Sequence, residues 1–342
     1  MGSTPPPPFD VVPQPDGNAA LTLHTTTNGQ GTAAKMPLTS RILRGLWRIF
    51  TLNAKITTGC CIVGFFILLA IFGPLLTRYD PNALTTDILL PPSGQHWLGT
   101  TQAGQDVFSQ IMIGTRYSIV WGLITGCMVA ILYITIGLAA GYFGGIVDEI
   151  LSLITNIFLV IPGLPLALII AAYVPYKGPL TVAIAITLTG WPGHARIIRA
   201  QTLTIRQRDF VEAANASGLS SWRIIFSEVF PNMIAIVAAG FVGTALAAIL
   251  AAAGLEFLGL GDIRSVSWGS MFYWAQNNSA LIQGAWWWFA PPGICIALLA
   301  AGLTFINLGL DEVADPRLRN EGKRFRLRRK QVENIKNKQA TR

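Results

Sequence analysis

The chain has 342 residues, of which 52% are hydrophobic and only 12% charged, about half the charge of an ordinary soluble domain. A soluble core of this size needs a charged shell, so the composition excludes a large soluble protein and predicts an integral membrane protein that crosses the bilayer several times. The net charge of +8 gathers at Lys35, Arg41, Arg44, Arg48 and Lys55, at Arg196, Arg199, Arg206, Arg208 and Arg223, and in a tail from Arg317 to Arg342; nucleic-acid binders also use basic clusters, yet basic residues flanking apolar runs mark the cytoplasmic side, and no nucleic-acid partner is expected.

Residues 1–40 are rich in Pro, Thr, Gly and Asn and hold no early apolar segment. They read as a disordered cytoplasmic extension without a secretory signal peptide. A first helix is expected over 56–77, because no charge lies between Lys55 and Arg78 and roughly 20 apolar residues suffice to cross hydrocarbon. Residues 79–115 follow as turns and polar residues on the outer side. The second helix, 117–140, returns to a Gly-rich stretch at 141–145.

A third helix begins near Asp148 and meets Ile161-Pro162-Gly163-Leu164-Pro165, where two prolines kink or break it. Irregular backbone at membrane depth must face protein or a water-filled cavity, so Pro162 and Pro165 mark either a path through the protein or a packing kink. The fourth helix covers 179–197, the fifth 229–257 and the sixth 288–310. Residues 259–285, with Asp262, Arg264, Asn277, Asn278 and Gln283, suit an outer loop.

Six crossings place both termini on one side. With the termini and the 198–228 loop inside, nearly every basic cluster is cytoplasmic. Arg78, Arg116, Lys177 and Arg264 fall outside, and the inner turn at Asp148 and Glu149 is acidic. Trp286-Trp287-Trp288 fits an interfacial anchor and equally a packed indole cluster. The small residues Ala235, Ala238, Ala239, Gly240, Gly243, Ala245, Ala247 and Ala248 permit close helix approach, at a moving interface or in static packing.

The largest inner connection carries the most informative segment. In Arg208-Asp209-Phe210-Val211-Glu212-Ala213-Ala214-Asn215-Ala216-Ser217-Gly218, Phe210, Ala213, Ala214 and Ser217 recur near helical spacing, while Glu212, Asn215 and Ala216 form a polar or small face. A short helix of this kind, ended by Gly218, fits a groove on another subunit. Amphipathic Trp222-Arg223-Ile224-Ile225-Phe226 follows, then Glu228 and Pro231-Asn232.

Chemistry-bearing constellations are missing. No Gly-rich phosphate loop ending in Gly-Lys-Ser or Gly-Lys-Thr occurs, and His24, His96 and His194 stand far apart with no ordered base and nucleophile. Cys60, Cys61, Cys127 and Cys295 lack metal-ligand spacing and read as small membrane-embedded residues. Asn156, Asn232 and Asn307 are polar candidates near the spans.

Glu212-Ala213-Ala214, Gly218 and Pro231-Asn232 match in spacing the signature of ABC-importer inner-membrane permeases, which the chain resembles. The likeness narrows to the second permease subunit of dipeptide, oligopeptide and nickel importers through Trp97-Leu98-Gly99-Thr100, Gly104-Gln105-Asp106-Val107-Phe108-Ser109, Gly114-Thr115-Arg116-Tyr117-Ser118, Phe257-Leu258-Gly259-Leu260-Gly261, Ser267-Trp268-Gly269 and Asp315-Pro316-Arg317-Leu318-Arg319. The chain departs from that family's form at Thr101, Gln102, Ala103 and Gln105, and at Glu228 where His is common.

This resemblance implies an all-α, six-helix type I importer permease in the bacterial inner membrane, with the permease domain at 41–319 and a basic cytoplasmic tail at 320–342. It implies a related second permease, two cytoplasmic ATPases that bind ATP and Mg, and an external solute-binding protein. Asp209, Glu212, Ala213, Ala214 and Gly218 would form the coupling helix; Asn156, Pro162, Pro165 and Asn232 are the pathway or gate candidates. The permease itself would hydrolyse nothing. A di- or oligopeptide is the expected solute, with nickel, oligosaccharide or another solute as the alternative, and a stand-alone secondary transporter as a reading of a different class.

Overall fold

A computed structural model describes residues 54–314. The expectations for residues 1–40, for the 320–342 tail and for the Asp315-Pro316 motif lie outside the described residues.

The described chain is all α. Hydrocarbon offers no hydrogen-bond partner to the backbone, so an apolar run must satisfy its own amides as helix. Helix α1, Ala54–Leu76, has 23 residues and spans about 35 Å at 1.5 Å per residue. It is followed by α2, Val107–Phe143, whose 37 residues span about 55 Å, more than a bilayer core needs. Next come α3, Gly145–Val160, and α4, Gly163–Tyr173, bent by 90° at the intervening Ile161-Pro162. Four helical stretches are long and apolar enough to cross a membrane, or five if the bent pair is one span.

The remaining elements are α5, Pro179–Gly190; α6, Pro192–Arg206; α7, Asp209–Ala216; α8, Ser221–Ile224; α9, Ile234–Phe257; α10, Trp268–Asn277; and α11, Trp286–Ala314. Between α8 and α9 lie a π turn, Ile225–Val229, and a 3-10 turn, Phe230–Met233, so the helical run from Ser221 to Phe257 is continuous but uneven.

Several expected boundaries move for local reasons. Helix α2 starts ten residues before 117 because the Asp106 carboxylate accepts from the Ser109 amide (2.8 Å) and caps it. The 179–197 run is two helices, because Pro192 begins a new one at Trp191. The segment expected as a loop at 259–285 contains α10, opened by a reciprocal cap in which the Ser267 hydroxyl accepts from the Ser270 amide (2.9 Å) and the Ser270 hydroxyl from the Ser267 amide (2.9 Å).

Helix α2 is the central pillar, packed against α1, α5, α6 and α9. Lipid gives no hydrophobic preference for helix contact, so close approach through small residues holds such bundles. A Cβ on Gly137 would lie 2.8 Å from Ala195 O, one on Gly141 2.6 Å from Thr202 Cβ, and one on Gly126 2.9 Å from Ala245 Cα. Helices α1 and α11 meet the same way, where a Cβ on Gly59 would lie 2.6 Å from Gly302 O.

The small-residue stripe of α9 divides. Ala245 and Ala248 are buried in the bundle, while Ala235, Ala238 and Ala247 face outward. The tryptophan cluster divides as well: Trp288 is buried, Trp287 Nε1 donates to Thr100 O (3.2 Å), and Trp286 is exposed. Packing therefore accounts for two of the three indoles.

Residues 79–106 fold over the start of α2. His96 and Asp106 are both buried, with Nδ1 and Oδ1 2.9 Å apart, and Tyr79 stacks on the His96 ring at 4.9 Å. A cavity of about 410 Å³ separates this cap from α10 and is lined by Asn82, Gln105, Gln110, Arg264, Ser270 and Trp274 among others.

Candidate functional site

The 198–228 connection is ordered by its own hydrogen bonds. Val211 and Glu212 donate their amides to Arg208 O (2.9 and 3.1 Å), starting α7, and Asp209 and Glu212 lie in its first turn, where carboxylates favour the positive helix end. At the other end Leu219 N donates to Ala214 O (3.3 Å) and Gly218 N to Asn215 O (3.0 Å). That pair is the Schellman closure, and Gly218, at φ 74°, supplies its left-handed residue.

Burial sets the face. Val211 is fully buried and Ala214 partly so, both packed into a core with Tyr142, Ile198, Ile224, Ile225, Val229 and Met233. Asp209, Phe210, Glu212 and Ala213 are exposed. The inward stripe is thus Val211 and Ala214, and Phe210 turns out, because α7 lies flat on the bundle by its Val211 side. The Tyr142 hydroxyl donates to Asn215 Oδ1 (3.4 Å), tying α7 to the end of α2.

The amphipathic segment after this helix stacks its two aromatics on each other. Trp222 stacks on Phe226 (6.2 Å, 15°), and Phe143 meets Trp222 edge-on (6.1 Å). Trp222 and Phe226 are 64% and 61% exposed and Phe210 is exposed as well, so the connection leaves aromatic surface uncovered. The amphipathic spacing of Trp222 and Phe226 was its sequence signal.

Pro231-Asn232 is a local device. Proline lacks the N–H that continues a ladder, and the Asn232 Nδ2 donates to Glu228 O (2.6 Å) where the π turn ends. Asn232 is therefore engaged with backbone and stands apart from the other pathway candidates.

The break at Pro162 and Pro165 begins α4: Pro162 caps it and Pro165 sits in its first turn, where an absent N–H costs nothing. Two cavities flank this region. The first, about 240 Å³, lies between α2, α3 and α6 and is lined by Gly137, Ser152, Thr155, Asn156, Arg196 and Arg199 among others. Arg196 Nη2 donates to Asn156 Oδ1 (2.8 Å). Arg199 donates Nη2 to Asp148 Oδ2 (2.7 Å) and Nε to Asp148 Oδ1, and this bonding raises the Arg199 guanidinium above its ordinary value.

The second cavity, about 190 Å³, opens at the bend itself. Gly163, Leu164, Thr189, His194, Thr244 and Ala247 are among its walls. The structure thus brings Asn156 to one cavity and the Pro162–Pro165 turn to the other, and it adds His194, Arg196 and Arg199, whose placement depends on how α6 folds back onto α2. Among the described residues, no group of three or more His, Cys, Asp or Glu side chains is placed to hold a metal ion.

Residues 133–320 match the family described as binding-protein-dependent transport system inner membrane component. Residues 42–92 match the N-terminal transmembrane domain of oligopeptide transport permease C. The chain is 34% identical over 275 residues to the oligopeptide transport system permease protein OppC of Bacillus subtilis, covering 79% of this chain and 88% of that protein. It is 32% identical over 301 residues to the dipeptide transport system permease protein DppC of the same organism, covering 87% and 92%. With the glutathione transport system permease protein GsiD of Pectobacterium atrosepticum it shares 30% identity over 285 residues, 81% and 92% of the two chains.

Proposed function

The chain belongs to the binding-protein-dependent transport system inner membrane component family, and from that premise we propose how this permease subunit of a peptide ABC importer turns work done by other subunits into movement of solute. It is a multi-pass membrane protein. Our reading is that it crosses six times, with the bent α3–α4 pair as one crossing and α5 with the start of α6 as another. Both termini and the 198–228 connection then lie in the cytoplasm of a bacterial inner membrane.

One observation carries the mechanism. Helix α7 is anchored by Val211 and closed by Gly218, and it holds Asp209, Glu212 and Ala213 outward, with Phe210, Trp222 and Phe226 exposed as well. A helix held flat on the bundle, with an exposed acidic first turn and exposed aromatics near it in the chain, suits a groove on an ATPase subunit. Two ATPases, which bind ATP and Mg, would close on each other and push α7. Because α7 rests on the core shared by α2, α6 and the π turn, that push reaches the cavities through packed side chains.

A related second permease would complete the pathway against the outward faces of α4, α5 and α9. An external solute-binding protein would deliver peptide to the cap formed by residues 79–106 and α10. Alternating access then follows, with the central space open outward before closure and inward after it.

The test is uptake and ATP hydrolysis by the whole importer in proteoliposomes. Replacing Glu212 and Ala213 together by Arg is expected to leave the permease folded, to lower ATPase recovery on purification, and to reduce peptide uptake at least tenfold. Full uptake by that variant would overturn the assignment of α7.

A further inference from the structure

Arg196 carries a charge that no carboxylate among the described residues answers. Its guanidinium is exposed, and its hydrogen bond among those residues is the one from Nη2 to Asn156 Oδ1 (2.8 Å). Close by runs an apolar stripe: Ile150, Leu153, Ile154 and Ile157 recur at helical spacing on α3 and are all exposed. Going round α3, Asn156 falls between Ser152, on the packed side, and Leu153 of the stripe. No Asp, Glu, Lys or Arg occurs from Ile150 to Tyr176, whereas Asp148 and Glu149 stand just before it. The stripe therefore suits hydrocarbon, and a guanidinium at its edge is costly unless an anion meets it.

The cavity of about 240 Å³ between α2, α3 and α6 opens here, with Asn156, Arg196, Arg199 and Ser152 in its wall. A water takes about 30 Å³ of liquid, so the space holds a tetrahedral phosphate with room for solvent. What the wall offers is donors. Arg199 gives Nε and Nη2 to Asp148 and keeps Nη1, Arg196 keeps Nε and Nη1, and Asn156 keeps its amide hydrogens. The Ser152 and Thr155 hydroxyls are spent on Asp148 Oδ1 (2.9 Å) and Leu151 O (2.7 Å). With Asp148 neutralising Arg199, the wall keeps the positive charge of Arg196.

We propose that this cavity binds the phosphate of an anionic phospholipid whose acyl chains lie along the Ile150–Ile157 stripe. Arg196 supplies a planar pair of donors that matches two phosphate oxygens, and Arg199 Nη1 and Asn156 Nδ2 reach a third. Basic pockets between membrane helices take lipid head groups in this way. A free phosphate brings the same oxygens but leaves the stripe uncovered, so the amphiphile fits both halves of the surface. Asn156 is then a head-group contact.

The inference is independent of the solute carried. Its test uses the complete importer in detergent, stripped of lipid, with Cys60, Cys61, Cys127 and Cys295 of this chain replaced by Ser and Ile136→Cys placed on the cavity wall. N-ethylmaleimide labelling of this chain, read by mass, reports access. Phosphatidylglycerol at twice its Kd should slow labelling about threefold, while phosphatidylcholine, which carries its own cation, and inorganic phosphate should not. Arg196→Gln should raise the half-protecting phosphatidylglycerol concentration about tenfold and Asn156→Leu about threefold, the effects of losing a charged and a neutral donor. Asn156→Leu keeps both guanidinium groups and gives the answer should Arg196→Gln fail to assemble. Equal protection by the two lipids, or protection unchanged in the variants, overturns the site. Protection by inorganic phosphate alone overturns the lipid in favour of a free anion, and protection that requires peptide-loaded binding protein and ATP overturns it in favour of the solute path.

Discussion

Arg199 grips both carboxylate oxygens of Asp148, 51 positions earlier in the chain, and so ties α6 to the start of α3. Ser152 adds a hydroxyl bond to Asp148 Oδ1 (2.9 Å). Arg199 and Ser152 also line the cavity that holds Asn156 and Arg196. Both side chains are partly exposed, so the attraction is screened, and a double-mutant cycle with Arg199→Ala and Asp148→Ala should return a coupling of about 0.5–1 kcal/mol. Arg199→Lys should recover less than half of it, because lysine lacks the planar fork. Thermal unfolding of the detergent-solubilised importer measures both.

Gly141 touches α6 so closely that any side chain displaces backbone. Its Cβ would lie 2.6 Å from Thr202 Cβ and 2.8 Å from Arg199 O. Gly141→Val is expected to destabilise by about 1–3 kcal/mol through overpacking. The fraction remaining monodisperse after heating should fall, while Gly64→Val, with open space around it, should leave that fraction unchanged.

Glu256 is buried at the end of α9, where its Oε2 accepts from the Ser267 hydroxyl (2.6 Å) at the cap of α10. Gly269 lies against the same carboxylate, and a Cβ there would fall 2.6 Å from Oε2. Glu256→Gln keeps an acceptor and should be tolerated. Glu256→Ala strands the Ser267 hydroxyl and opens a cavity, for an expected loss of about 2 kcal/mol. Faster hydrogen exchange across Trp268–Asn277 in the alanine variant alone would confirm the difference.

Gly218 ends α7 at φ 74° with its Cβ position open, so conformation rather than space restricts it. Gly218→Ala should cost about 1 kcal/mol, and Gly218→Asn less, because asparagine tolerates the left-handed region. Limited proteolysis between Ala216 and Ser220 should quicken in the order Gly, Asn, Ala, with peptide uptake falling in the same order.

Much of the architecture was legible in the chain. The charge-free runs after Lys55, after Arg116 and before Asp311 each became a long apolar helix, and Pro162 marked a 90° bend. Asp106 and Pro192 moved helix starts away from the expected positions, and Ser267 began a helix where a loop was expected, since a cap or a helix-initiating proline outweighs the apolar pattern. For the inner helix, the Glu212-Ala213-Ala214 and Gly218 spacing located the element, yet its buried side proved to be Val211 and Ala214.

By itself the sequence determined that this is a chain of membrane helices, where they lie and which family it joins, because apolar length and backbone self-satisfaction are properties of single segments. Only the tertiary structure decided which faces turn inward. In lipid an outward Leu and an inward Leu are equally content, so apolar periodicity does not mark the packed side. Contacts such as Trp287 with Thr100 and Arg199 with Asp148 arise from close fit between distant segments, and no local pattern encodes them.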